Sequence, residues 1–170
     1  MDSSNPTIRR YEDDLNVCGR GVIILAAWEV FKAVMEIHTG IKNDFGLDIM
    51  SELPEDGRSE LMWVIVGVVT VVLAIIGLLF ALHIYIGLNA SKEATGRPYS
   101  KGYYPMAIAV FVLTVLSMFT YIDKLKDLMN IDTTMASIIV DLTFLYILGV
   151  MIRSAHKIRI LRAEQTESRE

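Results

Sequence analysis

Residues 61–88, LMWVIVGVVTVVLAIIGLLFALHIYIGL, run for 28 positions without an Asp, Glu, Lys or Arg. In lipid the backbone finds no outside hydrogen-bond partner, so a single stretch of this kind folds as a helix. That helix is about 42 Å long, against a hydrocarbon core of about 30 Å. The segment predicts a membrane span that tilts or projects.

Three further stretches meet the length for a span of roughly 20 mostly apolar residues. Residues 103–122 are bracketed by Tyr103, Tyr104 and Tyr121, the aromatics that favour a membrane interface. Residues 135–152 are apolar except for Asp141. Residues 21–40 hold a short apolar core and then Glu29, Lys32 and Glu36. Asp2, Glu12, Asp13 and Asp14 precede that last stretch, a poor match to the basic start of a signal peptide, so it reads as a true span. With 53% apolar residues and a mean hydropathy of +0.44, the 170-residue chain has the composition of a small bacterial membrane protein.

The expected fold is therefore all-α: an integral membrane four-helix bundle with a short N-terminal amphipathic helix. Residues 1–20 form a lead-in, residues 21–152 the membrane domain, and residues 153–170 a basic tail. Asn5 caps the lead-in and Pro6 takes its first helical position. Ile8, Tyr11, Leu15, Cys18 and Val22 recur at three- and four-residue steps on one face.

Charge sets the orientation. Arg9, Arg10, Arg20, Lys92, Arg97, Lys101, Arg153, Lys157, Arg159, Arg162 and Arg169 fall on one side; only Lys42, Arg58, Lys124 and Lys126 fall on the other. The positive-inside rule then puts both termini in the cytoplasm of a cell-membrane protein. The outward loop at 41–60 carries an acidic stripe, Asp44, Asp48 and Glu52, which reads as a solvated helix face and not a metal site. The small residues Gly67, Thr70, Ala74, Gly77 and Ala81 recur along the second span and read as a helix-packing face.

Glu29, Lys32 and Glu36 fall within about 60° of one another on a helix. A charged residue at mid-membrane costs about 2.5–3.5 kcal/mol on the insertion scale, while each Leu, Ile, Val or Phe returns about 0.3–0.6 kcal/mol. The first span is marginal alone, and its charged face turns away from lipid. Lys32 lies roughly 18 Å from Arg20 along the helix, and Asp141 roughly 10 Å from the outer end of the fourth span, which matches their depths. Lys32 is thus expected to pair with Glu29 and Asp141. Glu36 lies near the outer boundary with His38, and His83 near the inner end of the second span.

Several functions are disfavoured. The lone cysteine, Cys18, permits no intramolecular disulfide and no thiol relay. Phosphate-loop, nucleophile-elbow, zinc-helix and dinucleotide motifs are missing, so no cofactor or metal is expected. The basic residues Arg153, Lys157, Arg159 and Arg162 suit anionic lipid head groups better than nucleic acid. The leading expectation is a non-enzymatic accessory or interaction protein, self-associating or docked on a partner membrane subunit. In it, Glu29, Lys32 and Asp141 fix helix pairing. The alternative is a small proton- or ion-coupled transporter using the same residues. A lipid-directed enzyme with Glu29 or His83 as base ranks third.

The topology predicts that a cysteine at Ser100, on a Cys18→Ser background, reacts with thiol reagent only after the membrane is opened. Strong labelling from outside intact cells would overturn the orientation.

Overall fold

The computed structural model describes residues 6–43, 55–119 and 131–167. They form four helices and, among the described residues, no strand: α1 (Pro6–Asn43), α2 (Glu55–Ala94), α3 (Tyr103–Met118) and α4 (Ile131–Glu167). All four expected spans begin inside these helices. Two helices, over Gly57–Ala94 and Ser137–Glu167, are long and apolar enough to cross a membrane; α3, with 16 residues, is shorter. Asn5, the acidic stripe at 44–54 and residues 120–130 lie outside the described residues.

Local chemistry explains the helix ends. Proline at the start of α1 gives up no intrahelical bond, because the first N–H groups have no carbonyl partner there. Pro105 sits in the first turn of α3 for the same reason. At the end of α2, Gly96 takes a left-handed φ of 69°. This lets the Arg97 N–H reach the Lys92 carbonyl at 2.9 Å and the Gly96 N–H reach the Glu93 carbonyl at 3.3 Å. That pair of bonds is a Schellman stop, and Pro98 bars resumption of the helix.

The chain divides into two compact units, one of Met1–Leu25 with His83–Glu170 and one of Ala26–Leu82. In the first unit, α1 packs antiparallel to α2: Asn16 meets Ser91, and Gly19 meets Gly87. It also runs antiparallel to α4, with Glu12 on Arg162 and Gly21 against Ile147. Helix α3 is antiparallel to α4, with Tyr104 over Arg159 and Phe111 against Gly149. Helices α2 and α4 run parallel, His83 beside Phe144 and Glu93 beside Arg159. The start of α1, the end of α2, the start of α3 and the later half of α4 thus gather at one end of this unit.

Its core follows the helical period. Ile8, Leu15, Cys18 and Val22 of α1 are buried, and Tyr11 is half-buried, so the face read from sequence is the packed one. On α4 the buried apolar positions are Phe144, Leu148, Met151, Ala155 and Ile158, alternating steps of four and three. That is the repeat of left-handed helix packing. It passes residue 152 without a break, so the segment 153–167 is a packed part of α4.

The second unit contains the later half of α1 and the first part of α2. Its apolar side chains are largely exposed, among them Trp28, Phe31, Trp63, Val71 and Leu78. None of the most apolar window of α2 is buried in the chain. A Cβ placed on Gly67 or Gly77 would meet open space. Among the described residues nothing packs against the small-residue stripe at those two glycines.

Close backbone approach occurs at Gly19 and Gly87 instead. A Cβ on Gly19 would lie 2.7 Å from the Gly87 carbonyl oxygen, and a Cβ on Gly87 would press on the Gly19 carbonyl oxygen. Both obstacles are backbone atoms of helices, which yield only by moving the helix. Gly19→Ala is expected to cost about 1–3 kcal/mol, the usual range for overpacking. Gly67→Ala and Gly77→Ala should match or slightly exceed wild type, because alanine favours the helix. Thermal unfolding in one detergent compares the three; equal effects would refute the crossing.

Candidate functional site

The most built polar site lies where α2 ends. The Schellman stop fixes Glu93 in the last turn, and the turn through 95–102 brings Tyr99 and Tyr103 back toward it. Glu93 is 0% exposed. Its Oε1 accepts from the Tyr99 hydroxyl and from Arg159 Nε, both at 2.9 Å. Its Oε2 accepts from Arg159 Nη2 at 2.8 Å and from the Tyr103 hydroxyl. A carboxylate offers about four lone-pair positions, and four donors of the chain meet them. The Arg159 fork is the bidentate geometry that makes such pairs strong.

Surrounding groups fix each donor. The Arg159 guanidinium lies 4.7 Å from the Tyr104 ring centre and 5.7 Å from that of Tyr103, a cation–π arrangement. The Tyr99 and Tyr103 rings meet edge to face at 6.2 Å. Arg162 Nη2 donates to Glu12 Oε1 at 2.8 Å and to the Glu93 carbonyl at 3.5 Å. Two cations from α4 therefore sit at the C-terminus of α2, where the helix dipole is negative. Asn89 holds the turn: its Oδ1 accepts from the Ser100 N–H at 2.9 Å, and its Nδ2 donates to the Tyr85 carbonyl at 2.8 Å. Tyr85 in turn donates to Ser100 Oγ at 2.7 Å.

The electrostatics follow from this geometry, beyond the apolar runs that end at residues 88 and 152. Burial pushes the Glu93 carboxyl up, but the hydrogen bonds from Arg159, Tyr103 and Tyr99 outweigh it. The net shift is below the usual glutamate range. Glu93 is ionised at neutral pH, closed to solvent and fully occupied. It has no lone pair left to act as a base or to hold a metal. Among the described residues no group of three or more His, Cys, Asp or Glu is placed to bind a metal ion.

The residues singled out in sequence fall elsewhere. Glu29 and Lys32 lie half-buried on α1 within Ala26–Leu82, and the Glu36 side chain lies outside the described residues. Asp141 lies in the other unit, 8% exposed on α4. The Lys32–Asp141 pair would join the two units and stands as an expectation. His83 is half-buried with its ring 5.3 Å from that of Phe144. Thr70, Thr114 and Thr143 donate to carbonyls four residues back on their own helices. Arg159 and Arg162, two of the four basic residues expected toward lipid, bind carboxylates of the chain; Arg153 and Lys157 are exposed.

Sequence reasoning passed over Glu93 and Tyr99, and it read Tyr103 as an interface aromatic and not as a partner of Glu93. One signal was present: Glu93 is the only acid between Leu61 and Ile122, and it stands at the end of the longest apolar run.

Glu93→Gln should lower stability by about 3 kcal/mol, the lower end for breaking a buried pair, because 33% of the Arg159 side chain reaches solvent. Glu93→Gln with Arg159→Met should recover part of the loss. The native carboxyl sits below its ordinary value, so its contribution is complete above the glutamate range and disappears as pH falls through the lowered native value. Melting temperature against pH in detergent should show this acid loss in wild type and a smaller one in Glu93→Gln. A Glu93→Gln protein as stable as wild type at neutral pH would remove the site from the account.

No protein family, curated protein or solved structure matches this chain. The geometry at Glu93 is the physical ground for assigning the chain a role.

Proposed function

We propose that the chain is a non-enzymatic accessory or interaction protein of the cell membrane, inserted as four spans with both termini cytoplasmic. The observation that carries this reading is the closure of the Glu93 site. General acid–base catalysis and proton-coupled transport need an ionisable group that a substrate or proton can reach. Here the fully buried carboxylate is met, among the described residues, by three side chains of its own fold, which suits a role in holding α2, α3 and α4 together. Through Arg162 it also reaches Glu12 of α1.

The exposed apolar length of α2 supports the membrane part of the reading. Such a surface is stable against lipid, against a second copy, or against a partner span, and unstable in water. The gathered helix ends of the first unit carry most of the basic residues, which suits the cytoplasmic side. Arg153 and Lys157 supply the attraction to anionic head groups there.

A transporter is the second reading, and Asp141 favours it: the carboxyl is nearly buried in an otherwise apolar stretch of α4. In liposomes with an imposed pH gradient, wild type, Glu29→Gln and Asp141→Asn should all hold the gradient as well as empty vesicles. Proton movement in wild type that disappears in either variant would reverse the ranking.

A further inference from the structure

A second polar feature of the first unit takes no part in the Glu93 site. The opening turns of α1 and the stretch 146–154 of α4 enclose a groove of about 590 Å³. Arg10, Tyr11, Asp14, Tyr146, Arg153 and Ser154 line it. Its volume falls within the range of about 300–1,000 Å³ usual for small-ligand sites.

The two arginines differ from Arg159 and Arg162. Both are exposed, and neither forms an ion pair with a carboxylate among the described residues. With Asp14 counted, the groove carries one net positive charge. That matches the single negative charge of a phosphodiester better than the near-double charge of a phosphomonoester. Arginine pairs suit phosphate because each guanidinium offers a planar fork of donors.

The groove also opens onto an apolar track. Ile139, Leu142, Tyr146, Val150 and Arg153 follow one another at steps of three and four, so they share one face of α4. Leu142 is 52% and Tyr146 72% exposed, and Ile139 is exposed as well. The face runs from bare apolar side chains directly to a cation, at the position where the apolar run of α4 ends. An amphiphile with an anionic head and a hydrocarbon tail has that same order along its length.

We propose that this groove binds one anionic phospholipid, its phosphodiester between Arg10 and Arg153 and an acyl chain along Tyr146, Leu142 and Ile139. The lipid then joins the N-terminal turns of α1 to α4 on the cytoplasmic side. This assignment rests on the membrane reading and adds a ligand and a place to it. Lys157 and Arg20, exposed but outside the groove, attract the membrane without holding a particular lipid.

The test is native mass spectrometry of the full chain in detergent with phosphatidylglycerol, phosphatidylcholine or glycerol phosphate added. Wild type should retain one phosphatidylglycerol at an occupancy at least tenfold above phosphatidylcholine. Arg10→Gln with Arg153→Gln should lose that adduct, whereas Arg20→Gln with Lys157→Gln should keep it. Each variant must first show wild-type circular dichroism; should the glutamine pair misfold, Arg10→Lys with Arg153→Lys replaces it and should weaken the adduct, since ammonium lacks the fork. Equal retention of the two lipids, or an adduct indifferent to Arg10 and Arg153, would overturn the assignment. Displacement of the lipid by millimolar glycerol phosphate would also overturn it, making the groove a site for soluble phosphate. Flotation of wild type with phosphatidylcholine vesicles reports separately on the membrane reading, so the two failures are told apart.

Discussion

The ion pair between Glu93 and Arg159 sets the register of the first unit. Burying a carboxylate is unfavourable unless its lone pairs are met, and here a bidentate guanidinium and two phenols meet them. The contributors come from the end of α2, the following turn, the first residue of α3 and the later part of α4. A hydrophobic contact tolerates sliding by a fraction of a helical turn. Four convergent hydrogen bonds do not, because each has a distance and a direction. The apolar repeat on α4 supplies the adhesion, and the polar site selects one alignment among those the repeat would allow.

That alignment also fits the ends of the apolar runs. Glu93 lies five residues past Leu88, about 7.5 Å along the helix, and Arg159 seven residues past Ile152, about 10 Å. In parallel helices those offsets are nearly level, and the long Arg159 side chain covers the difference. A node placed two turns earlier on both helices would sit inside the apolar stretches, where uncompensated charge costs most. Beyond them, Arg159 keeps part of its surface open while Glu93 is fully enclosed.

Much of the helical plan was legible because it is written in local periods. The apolar face from Ile8 to Val22 repeats every three or four residues, and those are the buried positions. The turn at 95–102 announces itself through Gly96 and Pro98. What escaped was non-local. Glu93 and Arg159 are 66 residues apart, and no periodicity links them. The packing of α4 beyond residue 152 was masked because Arg153, Lys157 and Arg159 interleave with buried Ser154, Ala155 and Ile158, so the segment looks like a charged tail. The stripe from Gly67 to Ala81 stays ambiguous for a related reason: small residues permit close packing but do not name the neighbour. The crossing at Gly19 and Gly87 has one glycine on each of two helices, and the ten-residue spacing of Gly57, Gly67, Gly77 and Gly87 keeps them off a single helix face.

The basic residues of α4 divide between the inside and the outside of the fold. Along 153–162 the apolar residues Ala155 and Ile158 face the core, and Arg159 and Arg162 turn to carboxylates beside it. Arg153 and Lys157, four residues apart, stay exposed. A basic cluster at the end of a span is usually read by its count alone, as a topology signal. Here the count overstates the charge that the folded surface offers, because two of the four cations are paired with carboxylates within the fold. In the proposed membrane reading a topology signal would act on the unfolded chain, when all four are free, and lipid recognition on the folded protein, when only the outer two are. Under that reading the same residues would direct insertion first and lock the helices afterwards, with no conflict between the two roles.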